Sequence, residues 1–414
     1  MSTIYNAPLC MNINRSLLTV ASVVAVAALM AFGLFGVGRN GGVAFADVRY
    51  FYLAAQMASS GLNPYSYPAF STFSVAAGLG ADIGVFPYPP HSLLLWLPLT
   101  WFPIEVARWI WTGANLIVLA LVAGLMGRWF AARVSGRTAL SALTTRWWIA
   151  AIIIGNPFTA HLVWTAQTGL LVLGCLLVAW YGLNSGRALL AGIFLGLASV
   201  KPQLSILVIL WVLFTGHFRV LAIAGVTAAA LLVFPLVVIG SAAVTDWWQA
   251  ALAYQGEVSG ALVYNTNLRS LIMGLAIPLL PRVLWLLPVL AVLYVAAMAF
   301  RDRKQPFNRG DVFASLLMTS LLFVYGRDYD IAVLAPVLPA LWWYSRGSNT
   351  AKAFGLAILV LLVVPQRVVS QAGIPALQFW RIALLGALWL WLTAAMWRGT
   401  FKLEPSRATS RRSA

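Results

Sequence analysis

The chain has 414 residues, 62% of them hydrophobic and 9% charged, with a formal net charge of +17 and a mean hydropathy of +0.88. That composition excludes a soluble globular domain, whose surface needs far more charge. Nucleic-acid binding is excluded too, because the basic residues are scattered between apolar runs instead of clustering on one soluble surface.

Apolar runs of helical-span length recur from end to end. With the N-terminus inside, spans are predicted at about 17–38, 105–127, 147–157, 163–182, 188–200, 202–216, 219–240, 283–300, 311–326, 331–345, 352–365 and 378–397. The expectation is an all-α polytopic membrane protein of about 12 transmembrane helices. It forms a single integral domain over 1–414, with both termini cytoplasmic. The first run exceeds a signal-peptide h-region and reads as a retained span. Cys10 and Cys175 imply no disulfide framework.

After the first span comes an outer segment, about 39–104. Asp47 opens its stretch DVRYFYLAAQMASSGLNPYSYP, which has apolar residues at helical spacing, Gly61 as a C′ stop and NPY as a turn. It reads as an amphipathic helix lying on the outer membrane surface. FPYPPHSLLLWLPL follows, carrying Tyr88 and His91. Farther on, the span near 149–155 stops at NPF, and the two short spans around KPQ place Lys201 between them. Short, Pro-interrupted spans suggest helices that end inside the protein and line a cavity. A second outer segment, about 241–282, holds another amphipathic stretch, AVTDWWQAALAYQGE, and then NTNLRSLI with Arg269. Arg327, Asp328 and Asp330 stand in YGRDYD, and a solvated basic tail closes the chain from about 398 to 414. With this topology 18 basic residues fall inside and 9 outside, while seven of the 10 acidic residues fall outside. The positive charge is therefore an orientation signal and a contact to anionic lipid.

Carboxylates this scarce in a multi-span chain tend to be placed for a purpose. Asp47, in an aromatic-rich loop at the membrane surface, is a candidate general base; its structural alternative is a helix cap. Lys201 reads as a phosphate contact or as a snorkelling cation. Arg269 and Arg327 are further phosphate candidates, or partners of a carboxylate such as Asp328. Asp328 and Asp330 suit a sugar hydroxyl or a salt bridge. Tyr88, with Tyr50, Tyr65, Trp164 and Trp247, could stack on a sugar or anchor at the interface. Gln167 reads as a hydrogen bond between helices. His91, His161 and His217 show no ligand spacing, and no metal site is expected.

Five segments in this order resemble glycosyltransferase family 87: Asp47 with YFYLAAQMASSGLNPYSY, then FPYPPHSLLLWLPLTWFP, the long stretch from GNPFTAHLVWTAQTG through SVKPQLSILVILWVL, NTNLRSLI, and YGRDYDIAVLAPVLPAL. The family comprises membrane enzymes of the GT-C class that use polyprenyl-phosphate-linked sugars. The resemblance implies a GT-C bundle with amphipathic helices on the extracytoplasmic face, where the active site would lie. It also implies no metal, cofactor or sugar nucleotide, Asp47 as base, and mannose as the favoured sugar. Part of the family has a His where this chain has RDYD, so no role of that His carries over. The expected partners are a polyprenyl-phosphate-linked sugar, a lipid or glycan acceptor and membrane lipids, in a bacterial-type inner membrane. The competing readings are a transporter or lipid-linked sugar flippase, and a glycan ligase or polymerase.

Overall fold

In the computed structural model, residues 46–78, 86–134, 149–257, 265–274, 284–304, 309–334 and 374–398 are described, with a few isolated positions besides. The predicted span 352–365 and nearly all of 17–38, the end of 331–345, Arg39, Asp82, Arg282 and the basic tail lie outside them.

The described residues are helical, with one isolated β-bridge, Asn265 to Arg327. Helix α1 (Ala46–Ser59) ends in a Schellman motif: Leu62 N–H donates to Met57 C=O, Gly61 N–H donates to Ala58 C=O, and Gly61 takes φ +75°. The predicted stop at Gly61 is thus in place. Helix α2 (Tyr67–Ala76) follows, then short turns from Pro90 to Trp101 and the long α3 (Ile104–Val134). Four helices zigzag next: α4 (Pro157–Trp164), α5 (Gly169–Asn184), α6 (Ala188–Ala198) and α7 (Pro202–Phe214). Beyond them run α8 (Phe218–Val238), α9 (Ala242–Glu257), α10 (Leu268–Gly274) and α11 (Leu286–Lys304). Helix α12 (Arg309–Thr319) continues through a π-turn to Val324, a 3₁₀ helix covers Asp328–Leu334, and α13 (Trp380–Arg398) closes the described chain.

Three of these helices are long and apolar enough to cross a membrane: Ile104–Arg128, Phe218–Val238 and Leu377–Arg398. Helices α4 and α5 pass together as a fourth but bend by 111°. The span predicted at 163–182 therefore starts too early: residues 163 and 164 end α4, the bend follows, and α5 begins only at Gly169. The spans expected around Lys201 are the short apolar helices α6 and α7. Phe218–Val238 leaves Val226, Val233 and Val237 exposed, an apolar face that suits lipid contact.

The two ends of the bundle differ in chemistry. At one end, Trp180 Nε1 donates to Arg309 C=O, Arg309 pairs with Asp302 at 2.8 Å, and Arg301 stacks over Trp397. Arg303 there donates to Phe214 C=O. The other end carries the two segments predicted to lie outside, which join through Asn63 Nδ2 to Asp246 Oδ2 (2.6 Å) and Trp247 Nε1 to Pro87 C=O (3.1 Å). Helix α1 does not lie on the surface as expected. Phe51, Leu53, Ala54, Ala55, Met57 and Ala58 are all buried. Phe51 stacks on Trp96 at 3.9 Å and meets the edge of Tyr88 at 4.6 Å. The alanines let the Pro90–Trp101 turns and α3 close over it, giving this end a small aromatic core of its own. Helix α9 does lie at the surface, with Trp248 and Leu252 exposed.

Candidate active site

Asp47 stands in the first turn of α1 as a half-buried residue. Its Oδ2 accepts a hydrogen bond from Gln167 Nε2 at 2.6 Å, and Gln167 Oε1 accepts one from Tyr88 Oη at 3.1 Å. Gln167 stands where α4 breaks from α5. Asn156 caps the start of α4, accepting from Thr159 N–H, with Pro157 in the first helical position. The far end of α4 is another Schellman motif: Gln167 N–H donates to Leu162 C=O and Ala166 N–H to Val163 C=O. Here the C′ residue is alanine, at φ 59°, a left-handed conformation that disfavours a Cβ. Trp111 Nε1 holds the strained residue by donating to Ala166 C=O at 2.8 Å.

A second break, between α6 and α7, presents Lys201, with Pro202 opening α7. Lys201 Nζ pairs with Asp330 Oδ1 at 2.5 Å, and both side chains are almost wholly buried. Asp330 also rests against Gly169, at the N-terminus of α5, where the helix dipole favours a carboxylate. Its other oxygen accepts from Arg327 N–H at 3.1 Å, capping the 3₁₀ turn from within. Lys201 thereby acts on Arg327 through Asp330. The Arg327 guanidinium, partly buried, donates to Tyr325 Oη at 3.2 Å and Tyr254 Oη at 3.1 Å. Its backbone is strapped by Thr266 N–H donating to Gly326 C=O at 2.8 Å. Gly326 is required for that approach, since a Cβ there would lie 2.5 Å from Thr266 Oγ1. His91 ties the turns from Pro90 to Trp101 to the same break through Ser199 Oγ at 3.0 Å, and burial pushes its imidazole below the usual range, which suits a neutral hydrogen-bonding role.

These groups act on one another electrostatically. Burial lifts the Asp47 carboxyl from 3.8 to about 6, against the lowering effects of the Gln167 hydrogen bond and the charges of Lys201 and Arg327; Asp330 adds to the rise. A carboxyl so placed is mostly ionised at neutral pH yet basic enough to take a proton.

The structure brings Asp47, Tyr88, Lys201, Arg327 and Asp330 of the predicted set to one end of the bundle. Asp328 turns instead to Arg381, at 3.4 Å, and forms the salt bridge that was its alternative reading. Arg269 is exposed on α10, three residues beyond the Thr266 strap. Gln167 was read only as an interhelical hydrogen bond, and its carboxylate partner was missed. The signal was present: a lone amide in an apolar stretch must find a partner. Among the described residues, no group of three His, Cys, Asp or Glu is placed to hold a metal ion.

The family model of glycosyltransferase family 87 matches residues 86–326. This range contains Tyr88, Gln167, Lys201 and Arg269; Asp47 precedes it, and Arg327 to Asp330 follow directly. An alpha-(1->3)-arabinofuranosyltransferase of Mycolicibacterium smegmatis is similar to the chain, 29% identical over 256 residues, which make up 61% of this chain and 58% of that protein. The chain thus spans less than two thirds of the length of this relative. No solved structure matches it. A chain whose larger part fits this model, and whose helices include ones long and apolar enough to cross a membrane, belongs to glycosyltransferase family 87.

Proposed function

We propose that the protein transfers one sugar from a polyprenyl-phosphate-linked donor to a hydroxyl of a lipid or glycan acceptor, at the outer face of a bacterial-type inner membrane. The observation that carries this reading is Asp47, hydrogen-bonded by Gln167 at a helix break, with Lys201 and Arg327 close enough to act on its charge. In the proposed step Asp47 takes the proton of the acceptor hydroxyl, whose oxygen attacks the anomeric carbon. The bond from that carbon to the phosphate oxygen breaks, and the electron pair leaves with polyprenyl phosphate. Phosphate departs readily as an anion, so a second carboxyl acting as acid is not needed, in contrast to glycoside hydrolysis. Arg327 is the group offered to the phosphate, since its guanidinium is partly exposed and meets only tyrosine hydroxyls among the described residues. Lys201, spent on Asp330, supports it through its charge and the 3₁₀ turn.

The twelve-span topology with cytoplasmic termini belongs to this proposal, supported by the 18 to 9 split of basic residues. Neither metal nor cofactor takes part. The family resemblance favours mannose as the sugar, and the arabinofuranosyltransferase relative brings arabinofuranose in beside it. The reading is tested by product analysis in nanodiscs with cell-envelope acceptors. One sugar added per acceptor, with inverted anomeric configuration, is expected. A growing polymer would overturn single transfer in favour of a polymerase, and retained configuration would overturn the single displacement.

A further inference from the structure

An ionised carboxylate only accepts hydrogen bonds, so the Gln167 amide must turn its NH₂ toward Asp47. Its oxygen then needs a donor of its own, and Tyr88 Oη supplies one at 3.1 Å. Both ends of the amide are thereby assigned, and a flipped amide would set oxygen against carboxylate. The side chain is only 3% exposed. Its backbone is fixed as well, following the left-handed Ala166 and donating to Leu162 C=O. Strain of this kind persists only where the surroundings over-determine it, and here Trp111 and the Schellman pair do so.

We propose, resting on the assignment of Asp47 as base, that Gln167 is its positioning residue. Clamped between Tyr88 and the strained turn at Ala166, the amide occupies Oδ2 and leaves Oδ1 as the oxygen that takes the acceptor's proton. The charged and titratable groups that face Asp47 from other elements are Lys201, Arg327, Asp330, Tyr88 and Tyr329. On its own helix Arg49 is two residues away and points to another side. None of these groups hydrogen-bonds the carboxylate among the described residues, whereas the uncharged Gln167 does. A hydrogen bond to the charged form lowers the pKa, so its loss moves Asp47 to higher pH.

The test uses the full chain in nanodiscs, comparing wild type with Gln167→Met, which keeps the volume and loses both bonds, and Tyr88→Phe, which keeps the ring and loses the donor. Two curves are recorded. The first is the pH dependence of Asp47 labelling by a hydrophobic carbodiimide, which reacts with the protonated carboxyl, read by mass spectrometry without substrate. The second is the pH profile of kcat for sugar transfer. In Gln167→Met the labelling midpoint and the acid limb of kcat should both rise by about one pH unit, with KM for the donor little changed. Even above the new midpoint, kcat should stay below that of wild type, since the carboxylate is no longer aimed. Tyr88→Phe should shift both curves in the same direction by less, and gives the same reading should Gln167→Met fail to fold. An unmoved labelling midpoint in a folded variant would overturn the role of Gln167 and leave Asp47 as base untouched. A labelling midpoint that moves while the acid limb of kcat stays fixed would overturn the proposal through its other part, since Asp47 would then not be the base.

Discussion

Replacing Asp47 by Asn should have opposite effects on catalysis and stability. Asparagine keeps the shape and can still accept from Gln167, but it cannot take a proton. General-base catalysis typically contributes about 10²–10⁴-fold, so transfer should fall by at least about a hundredfold. The stability effect follows from the upward displacement of the carboxyl from 3.8 to about 6. This is the reverse of the usual acidic residue: the folded state prefers the protonated form, so the penalty is present above pH 6 and disappears as pH falls toward 4. At 1.36 kcal/mol per pH unit the penalty is about 3 kcal/mol at neutral pH. Asp47→Asn should therefore melt higher than wild type at pH 7.5, and the two should converge near pH 4. Thermal unfolding by intrinsic tryptophan fluorescence, with the transfer assay on the same preparations, reads both effects. A variant within tenfold of wild-type activity would refute the base assignment. One that is less stable at pH 7.5 would refute the desolvation on which the raised pKa rests.

Other perturbations separate the roles of the neighbouring groups. Lys201→Ala leaves Asp330 buried without its partner and should destabilise the fold by about 3–5 kcal/mol, whereas Lys201→Met with Asp330→Leu should recover most of that loss; chemical denaturation in detergent measures both. Arg327→Lys keeps the charge but loses the fork between the two tyrosine hydroxyls, so transfer should fall by about tenfold or more with donor KM raised. Unchanged kinetics would remove Arg327 from the phosphate site. Gly326→Ala drives a Cβ onto both Thr266 Oγ1 and Leu321 Cδ2 and should reduce both stability and transfer; an unchanged melting temperature and rate would show that the close approach at Gly326 is not required.

Much of this arrangement could be read in the residues themselves. Asp47 stood out because carboxylates are scarce, and Gly61 followed by NPY marked the end of α1 because a C′ position favours glycine. Spans near 105–127, 219–240 and 378–397 were legible from continuous hydropathy and match the three long helices. The break at 165–168 was not. WTAQTG has no proline, and the left-handed position holds alanine where a glycine would have signalled it. The burial of α1 was hidden for a different reason: its periodicity shows an apolar face but not which turns will cover the rest. Pairings across the chain were out of reach as well. Gln167 meets Asp47 across 120 positions and Lys201 meets Asp330 across 129, and a single sequence carries no signal that joins them. The same holds for Asp328, which could be offered to a sugar or a salt bridge until Arg381 was seen beside it.

The most direct test of the central claim is release of polyprenyl phosphate by the purified protein in nanodiscs with cell-envelope acceptors. The donors offered in parallel would be polyprenyl-phosphate mannose, glucose and arabinofuranose, and the corresponding sugar nucleotides. Acceptor-dependent release from one lipid-linked donor, lost in Asp47→Asn, is the predicted result. Transfer supported by a sugar nucleotide, with no release from any lipid-linked donor, would contradict it.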